Sequence, residues 1–330
     1  MSALRFRLCT SADKDTIVAF MDANWGSEHA LVHEEAFFDY YYRDGNRLQF
    51  AFAEQNGEVL ALAGYILANK REQPDIWVSI WCAKKGHNGS GLELMSALPQ
   101  LTGARVMACN NIRPKTIPFY TFLGYTGAEL PHYYRLADKA DYNIAVVKRK
   151  DIWDTGAPCG LVKITDAAVI TRDWRVHEDV APIKDAWYIT RRYFYYPHQK
   201  YDVYARYVND KIAALLATRT VNVNGTHVLR VADYIGEPTQ FGLLGGDIDA
   251  MMQAVQAEYA DMYVYGIPQT EMAKAGFTLR RENDENIIPN YLTPLLQQNT
   301  DYYFFTSSTD SFMMCKADGD QDRPNLEFTV

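Results

Sequence analysis

The sequence predicts an α/β chain of the α+β type, with two tandem domains that are each a mixed central sheet flanked by helices. Three observations carry that prediction. Short apolar or alternating runs, which read as strands, are interleaved with runs at helical spacing. The chain has 330 residues, enough for two cores of ordinary size. The order of elements in the first half recurs in the second at a period of roughly 150 residues.

In the first half, Leu4 to Cys9 alternates as a half-buried strand does, and Thr10-Ser11-Ala12-Asp13 supplies cap residues for a helix running to about Asn24. A short helix follows over 34–42. Strands over 49–54 and 59–67 are joined by Asn56-Gly57, a hairpin signal. The central strand starts at Trp77. A helix marked by Leu92, Met95, Leu98 and Leu101 comes next, then a strand over 106–109 and a helix over 114–123. Strands over 130–136 and 142–147 complete this half. The chain divides into a domain over 1–150, a linker over 151–160 and a domain over 161–330. In the second domain, 183–196 reads as helix then loop and 201–208 as helix. Strands are expected over 161–164, 211–219, 227–236, 262–265, 287–292 and 302–305, with helices marked by Met251, Met252, Val255 and Tyr259 and over 270–275.

Composition narrows the function. A net charge of −8 argues against broad nucleic-acid binding. No apolar run has the length of a membrane span, and the first residues enter a strand without a signal-peptide pattern. The five scattered cysteines have no metal spacing and are an odd count, which fits reduced thiols in a cytoplasm. No metal is expected. The acidic tail over 316–325 lacks the glycine and glutamate of a calcium loop, having Arg323 and Thr329 at those positions.

One stretch carries chemistry. Trp77 to Ala83 reads as a buried strand, Lys84 to Gly91 as a glycine-rich turn, and Leu92 onward as helix. A helix that begins on glycines presents backbone N–H groups and the positive end of its dipole, which suits a phosphate or pyrophosphate.

The element order, with this turn after the fourth strand, resembles the GCN5-related N-acetyltransferase (GNAT) family over residues 4–148. That family's turn reads Gln/Arg-x-x-Gly-x-Gly/Ala. Gly89 and Gly91 take its glycine positions, while Gly86 stands where Gln or Arg is usual. Pro118 to Tyr125 resembles the family's Tyr-x-x-x-Gly-Phe/Tyr segment, with Tyr120 four residues before Gly124. The resemblance implies acetyl-CoA as co-substrate, held by backbone groups at Gly89, Ser90 and Gly91. Ala83 and Lys84 would polarise the thioester, Asn110 would touch the cofactor and Tyr120 would protonate the leaving thiolate. Lys84 and Lys85 could add charge for the phosphates.

The second half carries Ala275-Gly276-Phe277 against Leu123-Gly124-Tyr125, but Met272 replaces the tyrosine, and Ile235-Gly236-Glu237-Pro238 follows its fourth strand in place of the glycine motif. It is read as a degenerate copy that binds the acceptor or supports the first domain, the converse assignment staying open. Candidate bases are His198, Asp233 and Glu237 from this half, and His29, His33, Glu28, Glu34, Glu35 and His87 from the first. Tyr193, Tyr195 and Tyr196 would suit a sugar ring or a base. The tail could fold back onto a polyhydroxylated acceptor.

The expected activity is acyl transfer from acyl-CoA, acetyl in the first instance, to a small-molecule amine, with an amino sugar or nucleotide-sugar favoured and oligomerisation left open. The alternative is a non-catalytic module of the same fold that binds a metabolite or a partner. A third is a tandem aminoacyl or peptidyl transferase using aminoacyl-tRNA, whose basic groove the charge does not advertise.

Overall fold

The computed structural model of the chain describes residues 3–26 and 29–324, so Glu28, Asn325 and Thr329 lie outside the described residues. The first half runs β1 (Arg5–Thr10), α1 (Lys14–Asn24), α2 (Ala30–His33), α3 (Glu35–Tyr42), β2 (Arg43–Asp44), β3 (Arg47–Gln55), β4 (Glu58–Leu67), β5 (Asp75–Ala83), α4 (Asn88–Thr102), β6 (Val106–Asn110), α5 (Ile117–Phe122), β7 (Thr126–Leu130) and β8 (His132–Leu136). The second runs β9 (Val162–Ile164), α6 (Ala167–Asp173), α7 (Ala186–Tyr193), β10 (Asp202–Val208), β11 (Lys211–Val223), β12 (Thr226–Gly236), α8 (Gly245–Ala254), β13 (Ala257–Tyr265), α9 (Gln269–Lys274), β14 (Thr278–Leu279), β15 (Tyr302–Thr306) and β16 (Met314–Cys315). Among the described residues no helix is long and apolar enough to cross a membrane.

Two eight-stranded mixed sheets result, and each contains a strand from the other half. The first is ordered β1-β3-β4-β5-β6-β15-β7 with β2 paired to β3, the second β14-β8-β13-β12-β11-β10-β9 with β16 paired to β13. Thus β15, near the C-terminus, runs antiparallel between β6 and β7, with Phe305 opposite both Cys109 and Gly127. In return β8 runs antiparallel beside β13, from Tyr259↔Leu136 to Tyr263↔His132. The sheets therefore do not part at residue 150. Pro131 lies between β7 and β8, where the chain leaves one sheet for the other. The exchange buries Phe304 and Phe305 in the first sheet and Tyr133 and Tyr134 in the second.

Other expectations change as well. The stretch 201–208 contains β10 (Asp202–Val208), not a helix. Val203 and Ala205 are buried at a spacing of two, and the strand pairs with both β9 and β11. Likewise Tyr259, expected on a helix, lies in β13 opposite Leu136. Residues 142–147 and 287–292 are not paired strands but make an isolated bridge, Val146↔Ile287. The segment 142–145 is fixed by Glu258, whose carboxylate accepts the amides of Asn143, Ile144 and Ala145 at 2.6, 2.9 and 2.7 Å. The first sheet's root is tied to the second half through Asp75. Its buried carboxylate accepts Arg105 Nη2 at 2.6 Å and the amide of Ile183 at 2.7 Å.

A fragment of residues 1–150 would lack β15, leaving β6 and β7 without the strand that joins them. Urea denaturation of that fragment should show no cooperative transition, and co-expression with 151–330 should restore one. A cooperative transition for 1–150 alone would contradict the exchange as a requirement for folding.

Candidate functional site

The site begins where β5 and β6 part. The two are parallel and paired at Asp75↔Val106, Ile76↔Met107 and Trp77↔Ala108. Beyond Trp77, β5 continues to Ala83 paired only with β4, while β6 continues to Asn110 paired with β15. A wedge opens between them and holds a cavity of about 500 Å³. One wall is 78–83 and the other is formed by Cys109, Asn110 and Tyr120. Trp25 and His29 close the mouth from the region between α1 and α2, and Asp320, Gln321 and Arg323 reach it from the tail.

Tyr120 stands on α5, whose start is set by Pro114 and Pro118 near the first turns of two consecutive short helical segments. Its ring stacks on Phe305 at 4.1 Å between centres and lies 5.5 Å from Trp81. The exchanged strand thus positions this tyrosine. Burial raises its phenol pKa well above the ordinary value, with Cys109 adding and the Thr116 hydroxyl opposing. The group stays protonated across the neutral range and is a competent proton donor.

The turn has a local logic of its own. Gly86 has φ +86°, a left-handed conformation that favours glycine, which gives a backbone reason for glycine where the resemblance leads one to expect Gln or Arg. A Cβ at Gly89 would meet nothing within 4 Å, so this first turn of α4 faces open space. Gly91 differs: a Cβ there would lie 3.2 Å from Ala83 Cβ and 3.3 Å from Trp81 Nε1, and its carbonyl accepts that indole N–H at 3.0 Å. Its small size serves the packing of α4 on β5. The Ser90 amide already donates to His87 O at 3.0 Å, leaving less of the turn to a ligand than the motif implies. Lys84 is ion-paired with Glu58 at the surface.

Of the sequence candidates, Ala83, Gly91, Asn110, Tyr120 and His29 line this cavity, and Gly86, Gly89, Ser90 and Lys84 lie in the turn that follows its wall. Asn110 is buried, and its Nδ2 donates to the carbonyls of Cys315 and Lys316 at 3.3 and 3.0 Å, while its Oδ1 has no partner. It clamps the tail as much as it faces the cavity.

His198 and Glu237 are not brought to the wedge. His198 sits at φ +64°, edge-on to Phe37, with Nε2 3.4 Å from Glu34 Oε2. The Glu237 carbonyl accepts Tyr234 Oη at 2.8 Å and its carboxylate accepts Thr239 Oγ1 at 3.2 Å. Asp233 is buried against Lys184 Nζ, 2.8 Å from each oxygen, and accepts the Tyr193 hydroxyl. Glu34 caps α3 through the Phe37 amide at 2.6 Å, and His33 pairs with Asp22 at 2.7 Å. Tyr193 and Tyr196 are internal, the latter bonded to Tyr41 at 2.7 Å, so they form no open platform.

Asp320 and Arg323 were not picked out by sequence as residues facing the cofactor. They form an ion pair and bring charge to the cavity. His29 Nδ1 accepts the Leu31 amide at 3.3 Å as the cap of α2, and burial together with Arg323 lowers its pKa. The imidazole is neutral at pH 7, with its second nitrogen as a donor.

The corresponding places in the second sheet are filled. β12 and β13 part after Arg230↔Asp261. There Cys315 pairs with Val264, and the Ala317 amide donates to Ala232 O at 3.2 Å, so the tail bonds both lips of the gap. α8 also starts on glycines, Gly245 and Gly246, but the linker covers them. A Cβ at Gly246 would lie 2.5 Å from the Ala157 carbonyl carbon, and Asp247 accepts the amides of Cys159, Gly160 and Leu161 at 2.7, 3.1 and 2.8 Å.

No protein-family model and no curated protein matches the chain. Solved structures do. It is similar to a GCN5-related N-acetyltransferase from Anabaena variabilis ATCC 29413 (TM-score 0.53, 10% identity, 92% of this chain and 72% of that one). It is also similar to a conserved protein of unknown function from Enterococcus faecalis V583 described as a probable N-acyltransferase (0.52, 11%, 92% and 72%). A third is a GCN5-related N-acetyltransferase from Kribbella flavida (0.50, 13%, 92% and 70%). The chain therefore has the GNAT fold, and its two mixed sheets are the tandem arrangement that the sequence resemblance implies.

The two turn glycines separate stability from access. Gly86→Ala should destabilise the chain by about 1 kcal/mol because alanine resists a left-handed φ. Gly89→Ala should be neutral or stabilising by up to about 1 kcal/mol, since glycine weakens a helix. Chemical denaturation of both variants checks this, and equal losses would contradict the assignment of the left-handed residue.

Proposed function

We propose that the chain is an acyl-CoA-dependent N-acyltransferase, with acetyl as the acyl group, acting on a small amine such as an amino sugar or nucleotide-sugar. The observation that carries this reading is the early parting of β5 and β6 over an open cavity that ends on a buried, protonated phenol. The names of the solved structures that share the fold support it. The residues present fit an acyl-CoA co-substrate. The wedge offers apolar walls at Ile80, Trp81 and Cys82, and the open first turn of α4 at Gly89 offers an anion site. The co-substrate would supply an activated thioester.

The amine attacks the thioester carbonyl directly; a C–N bond forms, the C–S bond breaks and the thiolate takes the Tyr120 proton. Asp320 is the carboxylate that faces the cavity from the tail, and it takes the proton released by the amine. Arg323 beside it is ion-paired with that carboxylate and orients it. His29, whose accepting nitrogen caps α2, is assigned to orientation.

Tyr120→Phe should keep coenzyme A affinity within about threefold and lower kcat at least tenfold, a size ordinary for loss of one general acid. Asp320→Asn should lower kcat at least tenfold while leaving coenzyme A affinity within about threefold. Calorimetry and a thiol-release assay over a panel of amines read both. A chain that binds coenzyme A but turns over no amine would favour the non-catalytic alternative, and one that binds neither would end this reading.

A further inference from the structure

A second cavity, of about 360 Å³, lies across the tail from the wedge. The two share Asn111, Gln321 and Arg323 as lining residues, and Asn111 Nδ2 donates to Gln321 Oε1 at 3.2 Å. The wall of this second cavity carries Arg219, Arg230, Lys316 and Arg323. Three of these cations are balanced. Arg219 holds Asp322 at 2.6 Å, Arg230 holds Asp261 at 2.8 Å, and Arg323 holds Asp320.

Lys316 is different. It is buried, donates to the neutral Asn290 Oδ1, and lies 5.0 and 5.3 Å from the ring centres of Tyr302 and Tyr263. Among the described residues no carboxylate lies within ion-pairing distance of it. Burial, and then the nearby Arg230, push its ammonium well below the ordinary lysine value. Asp322, which also lines the cavity, and Asp261 oppose that shift from beyond contact, but each is already paired with an arginine, and an ammonium out of water with no carboxylate in contact is costly. Donors converge here from β11, β12, the Asn290 loop and the tail. A phosphate can meet them on three oxygens, whereas a carboxylate presents two in one plane.

We infer that this cavity binds a phosphate group of the acceptor whose amine enters the wedge past Asn111 and Gln321, with Lys316 as its principal counter-charge. This rests on the acyl-transfer reading above and names the substrate class that reading leaves open: a phosphate-bearing amine.

The test is calorimetric titration of pyrophosphate into the full chain saturated with coenzyme A, which removes the α4 turn as a competing phosphate site. Wild type should bind, and Lys316→Met should bind at least tenfold more weakly while keeping its coenzyme A affinity. Methionine fills the slot between the two rings without a buried charge, so the thermal midpoint should not fall. If it does, Lys316→Gln, which retains a donor toward Asn290, takes its place with the same tenfold expectation. Uridine diphosphate should compete with pyrophosphate, placing the phosphate on a larger molecule, and failure to compete overturns the acceptor as its source. Malonate binding as tight as pyrophosphate overturns the choice of phosphate. Equal pyrophosphate binding by wild type and variant, or none by a wild type that holds coenzyme A, overturns the inference alone. A chain that binds no coenzyme A overturns the reading beneath it.

Discussion

The insertion of β15 between β6 and β7 is the constraint on which the rest of the structure depends. Where β6 leaves β5 after three residue pairs, β15 holds it from its other edge. Without that partner the outer half of β6 would expose unpaired backbone groups inside the molecule, which is costly. The same strand supplies Phe305, on which Tyr120 stacks. The pairing of the outer half of β6 and the position of Tyr120, the proposed proton donor, thus have one cause. That cause lies 196 residues along the chain from Cys109, opposite which Phe305 pairs.

The second sheet repeats the geometry and blocks it. Its strands part in the same way, but residues 314–317 occupy the gap, and the linker packs over the glycines that begin α8. The tail that does this is held firmly. Lys184 bridges Asp233 and Asp318, the latter 2.6 Å away, and the Asp318 carboxylate also accepts the Cys315 amide at 2.8 Å. Two carboxylates on one buried ammonium leave a net negative charge. Burial and Asp233 therefore push the Asp318 carboxyl up to about 6 against the pull of Lys184. Having plugged one gap, the tail passes on to wall the other cavity with Asp320 and Arg323. On this account the degenerate half is a scaffold that delivers the tail to the working half.

Much of this was legible in the sequence, for identifiable reasons. The central strand, the glycine turn and the Tyr120 helix are local signals, read from alternation, turn residues and helical spacing. The left-handed φ at Gly86 explains why its departure from the family pattern is compatible with the turn. What could not be read is what depends on distant pairing. Leu130 to Leu136 looks like one strand, and nothing local says that Pro131 sends its two halves to different sheets. The same holds for His198 and Glu237, polar groups near chain turns: only three-dimensional placement shows that they lie away from the wedge that Asp320 lines. The tail reads in sequence as an acidic segment, and its place as a shared wall of two cavities follows from distant packing.

The central claim is that one of two similar gaps is a cofactor cleft and the other is not. A crystal structure of the chain with coenzyme A tests it most directly. The account predicts one molecule per chain, its thiol end between β5 and β6 near Tyr120 and its phosphates at the Gly89 turn. Coenzyme A seated between β12 and β13 with the tail displaced, or bound at both gaps, would contradict it.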